Sequence, residues 1–328
     1  MGNVKKNDKP YYTRISRKDF LRKSGLAVLG ASIAPWFINL ACSGRPAEAE
    51  AAGAALSSSQ LPKVSTTVIA KNASPYDLTR KSVDGLGGMK KYVRMGQKVA
   101  ILPNIGWART PEQAATTHPD LVKALADMCF EAGAKQVEIF CNPCVNPKVS
   151  YDKSGIAAVA EKTGAYMVFL GGMGDYEEMD FPDAVWSKHN LVAKTMLNAD
   201  VFINCPIAKH HGLSKLTLIQ KNLMGVVFHR GQLHQHIHQE LNALQKVIPA
   251  HLNVLDCTRI LLRNGPTGGD LADVKQVGQV VAGNDPIAIE AYAATLFNLD
   301  PASVGFIKMG QDAGLGNMDI AGKGHVIV

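Results

Sequence analysis

Residues 98–140 read KVAILPNIGWARTPEQAATTHPDLVKALADMCFEAGAKQVEIF, and this one stretch sets the fold class. Its first residues, 98–102, form a short apolar run of strand length. Residues 119–132 follow with helical periodicity, opened by Pro119 in the first turn and closed by Gly133, where a residue without Cβ ends a helix cheaply. A second short apolar run, 136–140, completes a strand–helix–strand unit.

Working outward, the pattern repeats. Strands are expected at 65–70, 166–170, 200–204, 252–255, 277–282 and 325–328. Helices are expected at 76–93, broken near Gly87 and Gly88, and at 154–163, 191–197, 235–247 and 286–297. Alternation of this kind implies βαβ units, so the expected fold is α/β: a mostly parallel sheet with helices on both faces, in a single large domain over 65–328. In such sheets ligands bind outside the carboxyl ends of the strands. Asn104, Cys141, Cys144, Cys205, His210, His211 and Cys257 follow strands and have first claim on function.

The formal net charge of +7 is unevenly spread. Residues 1–49 hold nine Lys and Arg against three acidic residues, leaving 26 basic and 25 acidic residues in the remainder. A near-neutral domain excludes a basic-patch binder of nucleic acid. The front of the chain has the order of an export signal: a basic stretch, the apolar run 25–40, and small residues around Ala47 and Ala49. Ser16-Arg17-Lys18-Asp19-Phe20-Leu21-Arg22 resembles the twin-arginine consensus, with Lys18 in place of the second arginine. A general secretory signal and a retained anchor are the alternatives, although the apolar run contains Pro35 and is short for a bilayer span. The segment 1–45 is therefore read as a signal peptide and the protein as periplasmic or extracytoplasmic. Asn39-Leu40-Ala41-Cys42 is an imperfect lipobox, so contact with a membrane is expected only through the leader or a lipid on Cys42. Residues 46–64, rich in Ala, Ser, Gly and Glu, read as a flexible linker.

Two groups of residues carry chemistry. Cys141 and Cys144 stand at C-x-x-C spacing after one strand, and Cys205 and Cys257 follow two others. Four thiolates gathered at neighbouring strand tips would suit zinc or an iron–sulfur cluster. The same pair can instead be a disulfide or a redox-active dithiol, and Cys205 and Cys257 ordinary buried cysteines. The second group runs from Lys209 through His210, His211, Lys221, Asn222, His229, Arg230, His234 and His236 to His238, where six of the ten histidines fall within 29 residues. Neutral imidazole is a metal ligand and an acid or base near pH 7, while Lys and Arg hold a carboxylate or phosphate. His236 and His238 also fit a solvated helix start. The segment 264–270 reads as a turn, and Thr117 as the cap of the helix that follows it.

Val99-Ala100-Ile101-Leu102-Pro103-Asn104, Asn204-Cys205-Pro206-Ile207-Ala208-Lys209-His210-His211, Thr217-Leu218-Ile219-Gln220-Lys221-Asn222-Leu223-Met224-Gly225 and Asn284-Asp285-Pro286-Ile287-Ala288-Ile289-Glu290-Ala291 together resemble the domain of unknown function 362 family, over residues 66–325. The resemblance implies an α/β protein whose polar site contains Asn104, Lys209, His211, Lys221 and Asn222. Members are sometimes fused to ferredoxin modules, which implies redox company, but the C-x-x-C-x-x-C run of such a module is missing from this sequence. The family usually has Asp where Glu290 stands, and Gly where Cys257 follows Asp256.

These readings combine into one leading expectation. It is an exported redox-pathway protein with a metal or iron–sulfur centre on Cys141, Cys144, Cys205 and Cys257, in which Lys209, His211, Lys221 and His229 act on a substrate or redox protein partner and Asn104 and Asn222 help to bind it. The alternative is an extracytoplasmic binding protein for a small anionic ligand, without catalysis. A third reading, a metal-independent hydrolase or isomerase using His211 with Lys209, lacks a G-x-S-x-G nucleophile motif.

Overall fold

The computed structural model describes residues 67–319 and 325–327. The signal peptide, the linker, Cys42 and the first residues of the expected strand at 65–70 lie outside the described residues.

The architecture is the expected α/β one. Ten strands form a mostly parallel sheet in the order β12-β1-β11-β10-β7-β2-β3-β4, with β8 and β9 branching from β10. These are β1 (Thr67–Lys71), β2 (Lys98–Pro103), β3 (Gln136–Cys141), β4 (Tyr166–Phe169), β7 (Val201–Cys205), β8 (Ile207–His211), β9 (Lys215–Thr217), β10 (Leu252–Leu261), β11 (Val274–Gly283) and β12 (His325–Ile327). Parallel pairing joins β2 to β3 and β7, β3 to β4, and β10 to β7 and β8, while β11 runs antiparallel to β1 and β10. Every residue of β7 and β10 is buried, as a strand covered on both faces requires.

Helices α1 (Pro75–Gly85), α2 (Pro119–Glu131), α3 (Pro147–Lys153) and α4 (Ile156–Thr163) form one layer. In α2, Leu121, Val122, Leu125, Met128 and Cys129 recur at helical spacing and are all buried. Its cap is His118, not Thr117: His118 Nδ1 accepts from Asp120 N at 3.1 Å. Thr117 instead accepts from Asn104 N at 2.9 Å and donates to the Cys205 carbonyl at 2.7 Å, tying the loop after β2 to the end of β7.

The expected helix at 191–197 is split, its first three residues being strand and its last four helix. Residues His189–Ala193 form β6, which pairs antiparallel with β5 (Tyr176–Asp180), and only Lys194–Leu197 turn as helix α5. Five apolar residues in seven fit either period, and the partner strand decides. The remaining helices are α6 (Ile219–Asn222), α7 (Ile237–Val247), α8 (Pro286–Leu296) and α9 (Gly305–Asp312), which pack together as a second layer.

Candidate functional site

Strand β8 puts Lys209 and His211 on one side of the pleat, two residues apart. Lys209 is only 1% exposed, and its ammonium donates to Asn104 Oδ1 at 3.0 Å, the Ala115 carbonyl at 2.6 Å and the Pro266 carbonyl at 3.2 Å. Burial pushes its pKa down to about 7. Three oxygen acceptors for three N–H donors oppose loss of the proton, because only the ammonium satisfies them all. Lys209 is thus a saturated cation that ties two loops, those carrying Asn104 with Ala115 and Pro266, to β8. Gly265 allows one of those loops to reach it, since a Cβ there would fall 1.9 Å from the His210 carbonyl oxygen.

Asn104 hands the network on. Its Nδ2 donates to Asn222 Oδ1 at 2.9 Å, and Asn222 Nδ2 donates to Asn204 Oδ1 at 2.8 Å and to the Leu102 carbonyl at 3.1 Å. The loop that carries Ala115 is clamped from below. Arg259 donates to the carbonyls of Pro111 at 2.7 Å and Thr116 at 2.9 Å while pairing with the buried Asp256 at 2.6 Å. Burial raises the Asp256 pKa, but Arg259 and Thr258 outweigh it and hold the carboxylate below its usual range.

Lys221 has a different environment. It sits on α6, whose first turn is held by the buried Glu290: Gln220 donates its backbone N–H and its side-chain amide to the carboxyl group, each at 2.7 Å. Burial raises Glu290 to about 8. Among the described residues the Lys221 ammonium finds only the Met224 thioether, at 3.0 Å, and burial lowers its pKa to about 8. Arg230 stands nearby, donating to the Asn142 carbonyl, to the Pro143 carbonyl at 2.7 Å and toward Cys144 Sγ at 3.8 Å. Among the described residues, neither Lys209, Lys221 nor Arg230 forms an ion pair with a carboxylate.

Two imidazoles complete the pocket, stacked with centroids 6.5 Å apart. His211 Nδ1 accepts from Leu213 N and Ser214 N, each at 3.2 Å, so the ring proton lies on Nε2. Burial, then Lys221, pull its pKa down to about 3, which keeps the ring neutral. His234 Nδ1 lies 3.1 Å from the Arg230 carbonyl and must carry its proton there, which leaves Nε2 with a lone pair. Burial and Lys221 also lower the pKa of His234. The other sequence candidates point elsewhere. His229 is exposed, edge-on to Phe228; His236 stacks on Trp186; and His238 packs on Phe306.

The four thiols do not assemble. Cys141, Cys144, Cys205 and Cys257 are all free, and among the described residues no three His, Cys, Asp or Glu side chains form a group able to hold a metal. Cys141 and Cys205 end their strands buried in the core, and Cys257 is buried on β10, where it alternates with Asp256. Burial raises the thiols of Cys205 and Cys257 well above their usual range and that of Cys141 to about 11. Only Cys144 is exposed, beside Arg230.

The fold and site define an α/β protein with a cluster of cations, amides and imidazoles at the carboxyl edge of its sheet, its cations without a carboxylate partner among the described residues. Residues 99–295 match the family described as Domain of unknown function (DUF362), and the chain belongs to that family. The match is narrower than the 66–325 the sequence motifs suggest. The thylakoid-associated protein sll1697 of Synechocystis sp. is 28% identical over 242 residues, which are 69% of this chain and 70% of that protein. Among solved structures, the lactate racemase apoprotein from Thermoanaerobacterium thermosaccharolyticum compares at a TM-score of 0.43 and 11% identity, covering 66% of this chain and 54% of that one. A protein from Thermotoga maritima compares at 0.45 and 8%, covering 68% and 59%. The chain therefore spans little more than half the length of either structure.

Arg230, His234 and Asn204 join the site although sequence reasoning ranked them below their neighbours. The i,i+4 spacing of Arg230 and His234 was the available signal, since one turn of chain lets the ring reach the carbonyl.

Proposed function

We propose that this protein binds a small oxyanion outside the cytoplasm, in the pocket of Lys221, Arg230, His211 and His234. One observation carries the reading: the Lys221 ammonium is partly buried, has a thioether as its sole hydrogen-bond partner among the described residues, and has another cation rather than a carboxylate beside it. A buried cation is costly unless paired, and an anionic ligand supplies the missing partner. Arg230 and the Nε2–H of His211 add donors of the kind that orient a carboxylate or phosphate.

A metal or iron–sulfur centre on the four cysteines is not favoured, because three of the thiols are buried and no three His, Cys, Asp or Glu side chains among the described residues form a group able to hold a metal. Acid–base chemistry by His211 with Lys209 is not favoured either: His211 Nδ1 already accepts two N–H groups and Lys209 has no free donor.

Calorimetric titration of the full-length protein with phosphate and with acetate at pH 7 tests the proposal. Saturable binding of either, lost in Lys221→Met, supports it; no binding, or binding indifferent to that substitution, refutes it. Placement outside the cytoplasm rests on the leader, and the kinship with a thylakoid-associated protein agrees with a site at or beyond a membrane. Among the described residues no helix is long and apolar enough to cross one. Replacing Arg17 and Lys18 by Gln should leave the protein in the cytoplasmic fraction; unchanged export would exclude the twin-arginine route.

A further inference from the structure

The loops that carry the cationic cluster also carry the lining of a separate concavity. A cleft of about 330 Å3 is lined by Trp107, Arg109, Val145, Val149 and Thr267 among others, which puts it within the usual span of small-molecule sites, about 300–1,000 Å3. Its walls are direct continuations of the site. Trp107 follows Gly106, whose N–H reaches Asn104 Oδ1 at 3.4 Å and whose carbonyl accepts from Cys144 N at 2.8 Å. Val145 follows Cys144, the residue next to the Arg230 guanidinium. Thr267 follows Pro266, whose carbonyl takes the Lys209 ammonium.

The lining is apolar where it meets solvent. Val145 is 38% and Val149 44% exposed, and both face the same hollow as Trp107. Single exposed valines are ordinary, but a concave apolar surface carried on the same loops as the cationic cluster has the two halves of an amphiphile's binding site. Arg109 also lines the cleft, where its guanidinium donates to the Gly268 carbonyl at 3.3 Å, from two of its nitrogens, and to the Ala108 carbonyl at 3.2 Å. It braces the wall.

We propose that the ligand of this protein is an organic carboxylate whose head group is held by Lys221 and Arg230 and whose apolar chain or ring lies in the cleft against Trp107, Val145 and Val149. The inference rests on the anion site above and names what that site takes. Among the described residues Lys221 has no carboxylate partner, and Arg230 spends only part of its guanidinium on two backbone carbonyls, so one carboxylate head can be held by both.

The test is a calorimetric series of acetate, butanoate, hexanoate and phenylacetate on the full-length protein. Affinity should rise by about fourfold for each methylene buried, the equivalent of ~0.8 kcal/mol. Trp107→Ala and, independently, Val149→Ser should flatten this rise. Both positions are part-exposed, and an unaltered melting temperature in either variant shows that the fold is kept. Lys221→Met should abolish binding of every member. Equal affinity for acetate and hexanoate, with Lys221→Met still abolishing both, overturns this inference and leaves the anion site standing. Binding of no carboxylate while phosphate binds in a Lys221-dependent way also overturns it, and binding of neither removes both readings.

Discussion

Replacing Lys221 by Met should make the ligand-free protein more stable while destroying its capacity to bind an anion. The native ammonium is lowered from 10.5 to about 8, chiefly by burial. At about 1.4 kcal/mol per unit this corresponds to roughly 3 kcal/mol of unfavourable burial. The side chain keeps some exposure, so water screens part of the cost and a gain of about 1–2 kcal/mol is the realistic expectation. Methionine has nearly the length of lysine and buries well, so no cavity term opposes the gain. For a domain of this size that is a rise in melting temperature of about 3–6 °C. Thermal scanning of both proteins, with and without saturating phosphate or acetate, separates the two effects. The wild type should gain about 3 kcal/mol at a ligand concentration one hundred times Kd, and the variant none. The sign with pH follows too. Between pH 8 and 10.5 the unfolded chain holds the Lys221 proton that the folded chain has shed, so stability should rise with pH there while anion affinity falls. A variant that melts lower than the wild type, or that still gains stability from the anion, would refute the reasoning.

Lys209→Met should behave in the opposite way. It strands three oxygen acceptors, two of them carbonyls of separate loops, and is expected to lose about 2–4 kcal/mol in chemical denaturation; a neutral outcome would mean that Lys209 does not hold those loops. Glu290→Gln should remove a pH dependence. The folded carboxyl titrates near 8 against 4.5 for the free group, so the folded state binds the extra proton across that window and wild-type stability falls as pH rises through it. Gln at 290 stays neutral and can donate to Gln220 Oε1, a buried atom with no partner among the described residues. Denaturation at pH 5 and pH 8 should find the variant equal to wild type at the lower pH and more stable at the higher one; parallel curves would contradict this.

Periodicity carried the fold because burial acts locally. The buried run of β2, the Pro119 to Gly133 frame of α2 and the end of β3 each declare themselves within a few residues. The 191–197 segment did not, because its apolar residues suit helix and strand alike until β5 lies beside them. The amide and lysine network was legible as a set of residue types after strands. Its connections were not, since Asn104 meets Lys209 across 105 residues and Asn222 across 118. Cysteine spacing carried no information on burial: position after a strand does not say whether a side chain faces the rim or the core, and Cys141, Cys205 and Cys257 are buried. Nor did any motif mark Lys221 as the cation lacking an acceptor. That property belongs to what surrounds it, a thioether and a guanidinium, and emerges only when α6 and the loop carrying Arg230 are packed together.

Anomalous diffraction from a crystal of the protein soaked with selenate looks for the anion directly. The strongest selenium peak should stand within hydrogen-bonding distance of Lys221 Nζ, between the Arg230 guanidinium and the His211–His234 pair, and should vanish in Lys221→Met. A pocket without density at saturating selenate, or a peak that persists after that substitution, would contradict an oxyanion site built around Lys221.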